Sequence, residues 1–149
     1  MHLVVVTDGS ASPNPGLMGI GVLIEDPKGE VVSAISEKAG VGSNNVAEYL
    51  AVIRGIEEAK KLGASTVTVY TDSQLVDRQL RGVYSVKNQA LKKLYKKATN
   101  LINSLDRVRL RWHPRESPKA VKADALAEGG QRAANVMEEL CQTTSTSAN

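Results

Sequence analysis

The chain has 149 residues, 42% of them hydrophobic, which suits one domain with one core and leaves no room for two of ordinary size. Charged residues make up 23% with a net charge of +3, a balance that excludes a disordered chain. No apolar run approaches the ~18–20 residues of a membrane span, the N-terminal Met1 to Val6 reads as strand and not as a signal peptide, and the single Cys141, having no internal disulfide partner, fits a reducing cytoplasm.

In chain order, residues 2–7 are a β-rich strand, with Asp8-Gly9-Ser10 read as the turn that stops it. Residues 11–17, holding Pro13, Asn14, Pro15 and Gly16, are a loop. Residues 19–24 and 31–35 are two further strand runs joined as a hairpin through Asp26-Pro27-Lys28-Gly29. The period then changes. Val46, Tyr49, Leu50, Ile53 and Ile56 recur at three and four and predict a helix ending near Leu62-Gly63. Residues 67–71 are a strand of β-branched type, followed by a short helix from about Ser73 to Leu80 and a Lys-rich helix from about Asn88 to Ser104. Residues 106–112 alternate charged and apolar, one half-buried strand, and an Ala-rich helix covers about Lys119 to Leu140. The order βββαβααβα predicts an α/β domain over residues 1–140 with a five-stranded mixed sheet flanked by helices. Residues 141–149, rich in Thr, Ser and Asn, are expected to be a disordered tail.

Charge is unevenly spread. Residues 78–122 hold thirteen Lys and Arg against two acids, while the rest of the chain holds six against fourteen. A solvated charged face would explain the cations, and so would a nucleic-acid backbone, whose phosphates call for cations gathered on one side. Composition leaves that choice open.

Four carboxylates stand out by position. Asp8 follows the first strand, where an Asx-turn would also explain it. Glu48 lies three residues after Asn45 at a helix start, the spacing of a capping box. Asp72 sits between a strand and a helix as an N-cap would. Asp124 is near the start of the last helix, where a negative charge suits the helix dipole. Singly, each has an ordinary structural reading. Together they would converge at one sheet edge, with Asp8 and Asp72 on adjacent strand ends and the two helices covering them. Four acids without nearby bases repel one another unless cations fill the cluster. Hard oxygen ligands select Mg²⁺ or Mn²⁺, and two such ions activate water and stabilise a leaving oxygen in phosphodiester cleavage.

Five ordered motifs carry a family pattern: Thr7-Asp8-Gly9-Ser10, Asn14-Pro15-Gly16, Asn44-Asn45-Val46-Ala47-Glu48, Thr71-Asp72-Ser73-Gln74 and Ala123-Asp124-Ala125-Leu126-Ala127. In that order they resemble ribonuclease HI over about residues 3–135. The resemblance implies a ribonuclease H-like fold and an endonuclease that cuts the RNA strand of RNA–DNA hybrids with two Mg²⁺ or Mn²⁺ ions, leaving 5′-phosphate and 3′-hydroxyl ends. It implies a catalytic and metal-binding quartet of Asp8, Glu48, Asp72 and Asp124, with Asn14, Ser43, Asn44 and Gln74 touching the hybrid. Side-chain amides and hydroxyls suit phosphate oxygens and the 2′-hydroxyl that marks RNA.

Two departures are visible. The segment from Gly82 to Lys87 is too short for the basic protrusion of the bacterial branch, so the chain resembles the short archaeal-type branch. Hybrid grip is then expected from Lys87, Lys92, Lys93, Lys96 and Lys97. No His matches the flexible-loop His of the bacterial branch, and Arg115 takes that place ahead of His113. A monomer is expected. The alternatives are a related nuclease preferring double-stranded RNA and a non-catalytic nucleic-acid module on the same fold.

Overall fold

The computed structural model describes residues 1–130. Strands His2–Ser12 (β1), Gly16–Glu25 (β2) and Val31–Gly42 (β3) form an antiparallel meander, followed by helix Asn44–Lys61 (α1). Strand Thr66–Thr71 (β4), helices Gln74–Leu80 (α2) and Gln89–Asn103 (α3) and strand Arg107–Trp112 (β5) complete the middle of the chain. A last helix (α4) occupies 118–130. The sheet order is β3-β2-β1-β4-β5, with β1, β4 and β5 parallel. This is the predicted order of elements. The expected continuation of the last helix over 131–140, the tail expected at 141–149 and Cys141 lie outside the described residues.

The two faces of the sheet bury different partners, as strand alternation requires. Leu3 and Val5 of β1 and Val67 and Val69 of β4 pack with Tyr49, Val52, Ile53 and Ile56 of α1 and with Leu91 and Ala98 of α3. On the other face Val6, Leu23 and Tyr70 pack with Ala123 and Leu126 of α4. The result is a helix–sheet–helix sandwich. The Tyr49 hydroxyl, carried into the core, donates to Gln79 Oε1 at 2.6 Å, so no buried polar atom is stranded there.

Three strand runs are longer than their apolar stretches: β1 and β2 extend into residues 11–17, expected as a loop, leaving only 13–15 between them, and β3 runs past residue 35 to Gly42. One expected turn is also absent. Asp8-Gly9-Ser10 does not stop β1, which pairs with β2 through Ser12↔Leu17. Gly9 serves a close approach and not a bend: a Cβ there would collide with the backbone carbonyl of Ala47 in α1. Small polar residues look like a turn in sequence, but here paired backbone keeps the strand going. The Asp26 turn is as expected, with Gly29 at φ +87° and the Asp26 side chain accepting from Lys28 and Glu30.

Candidate active site

Register sets the first two carboxylates side by side. Thr7 and Thr71 are paired in the parallel β1–β4 ladder, so the next residues, Asp8 and Asp72, lie level on neighbouring strands. Both continue the face that carries Val6 and Tyr70 toward α4. Opposite Asp8 on β2 stands Gly21, where a Cβ would collide with the Ala123 carbonyl. That missing side chain lets α4 settle onto the sheet and bring Asp124 into the same cleft as Asp8, whose carboxyl it helps to raise. Gly9 does the same for α1 on the other side, bringing in Glu48. Carboxylate oxygens of Asp8, Glu48 and Asp72 all lie within 4.8 Å of one another, close enough to share a metal ion.

The alternative local roles fail on geometry. The N-cap of α1 is Ser43, whose hydroxyl accepts from Val46, so Asn45 and Glu48 form no capping box. The N-cap of α2 is Ser73, accepting from Val76, so Asp72 is not the cap. Asp124 is seven residues into α4, past the turn where the dipole acts. None of the three acids serves its helix end.

What they do to each other is electrostatic. Burial, then the Asp72 charge, pushes the Asp8 carboxyl up to about 8. Burial, then Asp8 and Asp72, raises Glu48 well above the ordinary range. Glu48 Oε2 is buried with no hydrogen-bond partner among the described residues, a costly arrangement unless something else meets it. A hard divalent cation would, and the all-oxygen donor set fits one.

These acids open into a cleft of about 530 Å³ that Asn44 and Arg115 also line. Arg115 Nε is 3.5 Å from Asp72 Oδ2 with its side chain largely exposed. Asn44 Oδ1 accepts from Ala11 at 2.7 Å, and Asn14 Oδ1 accepts from the Asn44 backbone at 3.0 Å. Both oxygens are thus engaged, and neither amide nitrogen has a partner among the described residues. Ser43 caps α1, and Gln74 is exposed at the first position of α2. Lys87, Lys92 and Lys93 are exposed and stand outside the cleft. Lys93, Lys96 and Lys97 instead line a groove with Lys60, near the end of α1 remote from Glu48. His113 is buried, with its Nδ1 paired to Ser117 at 3.1 Å; burial lowers its pKa, Lys119 adds to this and Asp72 opposes it.

Sequence reasoning missed Ser10, Ser12, Asn45, Ser73 and Glu128, which line the same cleft. Ser10 and Ser12 are at i+2 and i+4 from Asp8, so reading β1 through to its end would have placed them. Glu128 is one helical turn after Asp124, a spacing that marks a shared face.

Residues 6–129 match the family model described as reverse transcriptase-like. The bifunctional protein Rv2228c of Mycobacterium tuberculosis is 38% identical over 135 residues, covering 90% of this chain and 36% of that protein. The chain thus spans about a third of that relative. The N-terminal RNase H domain of Rv2228c superposes with a TM-score of 0.86 at 35% identity, over 92% of this chain and 98% of that one. Ribonuclease H of Ruegeria pomeroyi is 31% identical over 88% of this chain and 93% of its own length. The structure of LC11-RNase H1 in complex with an RNA/DNA hybrid matches with a TM-score of 0.83 at 36% identity, covering 89% and 98% of the two chains. With the fold, the carboxylate cleft and these relatives in agreement, the chain belongs to the ribonuclease H family.

Proposed function

We propose that the chain hydrolyses the RNA strand of RNA–DNA hybrids endonucleolytically, leaving 5′-phosphate and 3′-hydroxyl ends, with two divalent ions, Mg²⁺ or Mn²⁺, held by Asp8, Glu48, Asp72 and Asp124. The observation that carries the reading is the three-carboxylate cluster with Asp124 beside it, one oxygen of which is buried and unsatisfied. The hybrid bound by LC11-RNase H1, a similar structure, supports the choice of substrate. When bound, such ions supply an activated water and stabilise the leaving oxygen.

The chain's own residues do the rest. Asp8 and Asp72, fixed by strand register, and Glu48 and Asp124, fixed by the two helices, set the positions of the ligand oxygens before substrate arrives. The amide nitrogens of Asn14 and Asn44 donate to the nucleic-acid backbone, their oxygens being held by the protein. Ser43 and Gln74 stand at two helix starts, where hydroxyl and amide donors meet the same strand. Arg115, its side chain 80% exposed and paired to Asp72 at 3.5 Å, can turn to a phosphate without crossing packed atoms. Lys87, Lys92 and Lys93 add charge at a distance. All four acids come from one chain, so a monomer suffices. The catalytic domain is taken as residues 1–140, and the single Cys141 supports a reducing cytoplasm as the working compartment.

Labelled RNA–DNA hybrid, RNA duplex and DNA duplex incubated with the protein, with Mg²⁺ or with EDTA, test the reading. Cleavage of the RNA strand of the hybrid in Mg²⁺ alone is expected. Undiminished cleavage in excess EDTA would overturn the metal mechanism, and preferential cutting of RNA duplex would reassign the substrate.

A further inference from the structure

Strand β5 is the edge of the sheet, and its side chains divide by face. Val108 and Leu110 turn in toward the core shared with α1 and α3. Arg107, Arg109 and Arg111 point the other way and are exposed. Their ladder partners on β4 are Thr66, Thr68 and Tyr70, and Tyr70 belongs to the face covered by α4. This is the face to which Asp8 and Asp72 belong. The three arginines therefore form a row at a spacing of ~6.6 Å that climbs toward the carboxylate cleft, with Arg111 level with a residue two short of Asp72. None of the three has a salt bridge or side-chain hydrogen bond among the described residues. The spacing is of the same order as the separation of neighbouring phosphates along a nucleic-acid strand.

A charged edge also discourages sheet-to-sheet pairing, but that role needs neither three guanidinium groups nor one face aligned with the site. We propose that Arg107, Arg109 and Arg111 form a phosphate-binding tract that holds the backbone of the nucleic acid running off the carboxylate cleft along β5. The occupant is the flank of the bound hybrid itself, and the proposal rests on the hydrolase reading only for the orientation of that flank. Guanidinium groups suit phosphate oxygens by their planar fork of donors. The tract lies on the opposite face of the sheet from the lysines of α3, so it extends the footprint in a direction those lysines do not serve.

The test measures binding with Ca²⁺ in place of Mg²⁺ against salt concentration, for a long hybrid and for one too short to reach past the cleft. Replacing Arg107, Arg109 and Arg111 together with Gln should lower the slope of log K against log salt by up to about 2–3 for the long hybrid, at ~0.7–0.9 per contact. The slope for the short hybrid should stay. A triple Lys variant at the same positions should keep most of the slope, which separates lost charge from lost folding. Replacing three exposed lysines elsewhere, Lys28, Lys38 and Lys61, with Gln changes net charge equally and should leave the slope alone. An unchanged slope in the Arg→Gln variant, or an equal fall in the lysine control, would overturn the tract. Failure of the hydrolase reading would show separately, as absence of hybrid cleavage by the unaltered chain in Mg²⁺.

Discussion

The molecule carries its two kinds of charge in contrasting ways. The acids of the cleft sit on four elements, with Asp8 and Glu48 buried and each position fixed by strand register or a glycine contact. The cations of α3 and β5 stand on single elements, exposed, mostly without partners among the described residues. A cluster of four acids, two of them buried, is costly to hold together without counter-charge and useful only at one geometry. Exposed lysines are individually cheap and act by number. Changing one acid should therefore be decisive, whereas changing one cation should be barely visible.

The largest effect is expected at Asp72. Because Ser73 caps α2, Asp72→Asn removes no structural bond to a helix end. It removes one negative charge from the proposed ligand set, and hybrid cleavage in Mg²⁺ should fall by about 10³-fold or more, the scale of several kcal/mol of lost transition-state stabilisation. Thermal melting without metal should hold or rise, since repulsion within the cluster is relieved. Near-normal cleavage would break the comparison at its strongest point.

Next comes pH. Folding raises the Asp8 carboxyl from 3.8 to about 8, so the metal-free folded chain keeps a proton that the unfolded chain releases. That contribution to stability is fully present below the unfolded value, near pH 4, and is lost as pH rises through the folded value, near 8. Glu48 is shifted in the same direction. Mg²⁺ needs the ionised carboxylates, so its stabilising effect should grow over the same window. Melting curves between about pH 5 and 9, with and without Mg²⁺, should show the gap widening with pH, and Asp8→Asn should flatten the metal-free decline. A gap independent of pH would mean that the acids do not share one site.

Legibility in the sequence followed the same division. Periodicity found every described element because the apolar faces are strongly patterned, as in Val67 and Val69 of β4 or Tyr49, Ile53 and Ile56 of α1. The grouping of the four carboxylates in one cleft was legible because their places at strand ends and helix starts, read with the five ordered motifs, survive in one dimension. The Asp8-Gly9-Ser10 segment was misread as a turn because Gly9 answers to Ala47, 38 positions away, a contact invisible to any local window. The capping readings of Glu48 and Asp72 failed for a subtler reason. Each has a serine close by, Ser43 and Ser73, that caps instead, and local chemistry does not say which of two good caps is used. The distance of the α3 lysines from the cleft depended on how α3 packs beside α1, which no motif records.

A smaller effect is expected from the lysines of α3. Replacing Lys92, Lys93, Lys96 and Lys97 together with Ala should lower the slope of log K against log salt for hybrid binding by about 3 if all four meet phosphates. The change should appear in KM more than in kcat, since none of them lines the carboxylate cleft. An unchanged slope would assign Lys92 and the groove that Lys93, Lys96 and Lys97 share with Lys60 to solvent, leaving the cationic half of the comparison to β5 and Arg115.

The smallest effect separates fold from site at one hydroxyl. Ser43 Oγ accepts from the Val46 backbone at 3.2 Å and caps the helix that carries Glu48. Its proton remains free for a phosphate or a 2′-hydroxyl, so two roles are superimposed. Ser43→Ala removes both and should cost about 1 kcal/mol of stability, a fall of roughly 2–4 °C in melting temperature for a domain of this size. Ser43→Asp restores the cap acceptor but places a negative charge where the hybrid's backbone would pass. Melting should recover in Ser43→Asp while hybrid affinity falls below that of Ser43→Ala. Affinity that instead tracks melting across the two variants would leave Ser43 as a cap alone, and would confine hydroxyl contacts at this end of the cleft to residues such as Ser10 and Ser12.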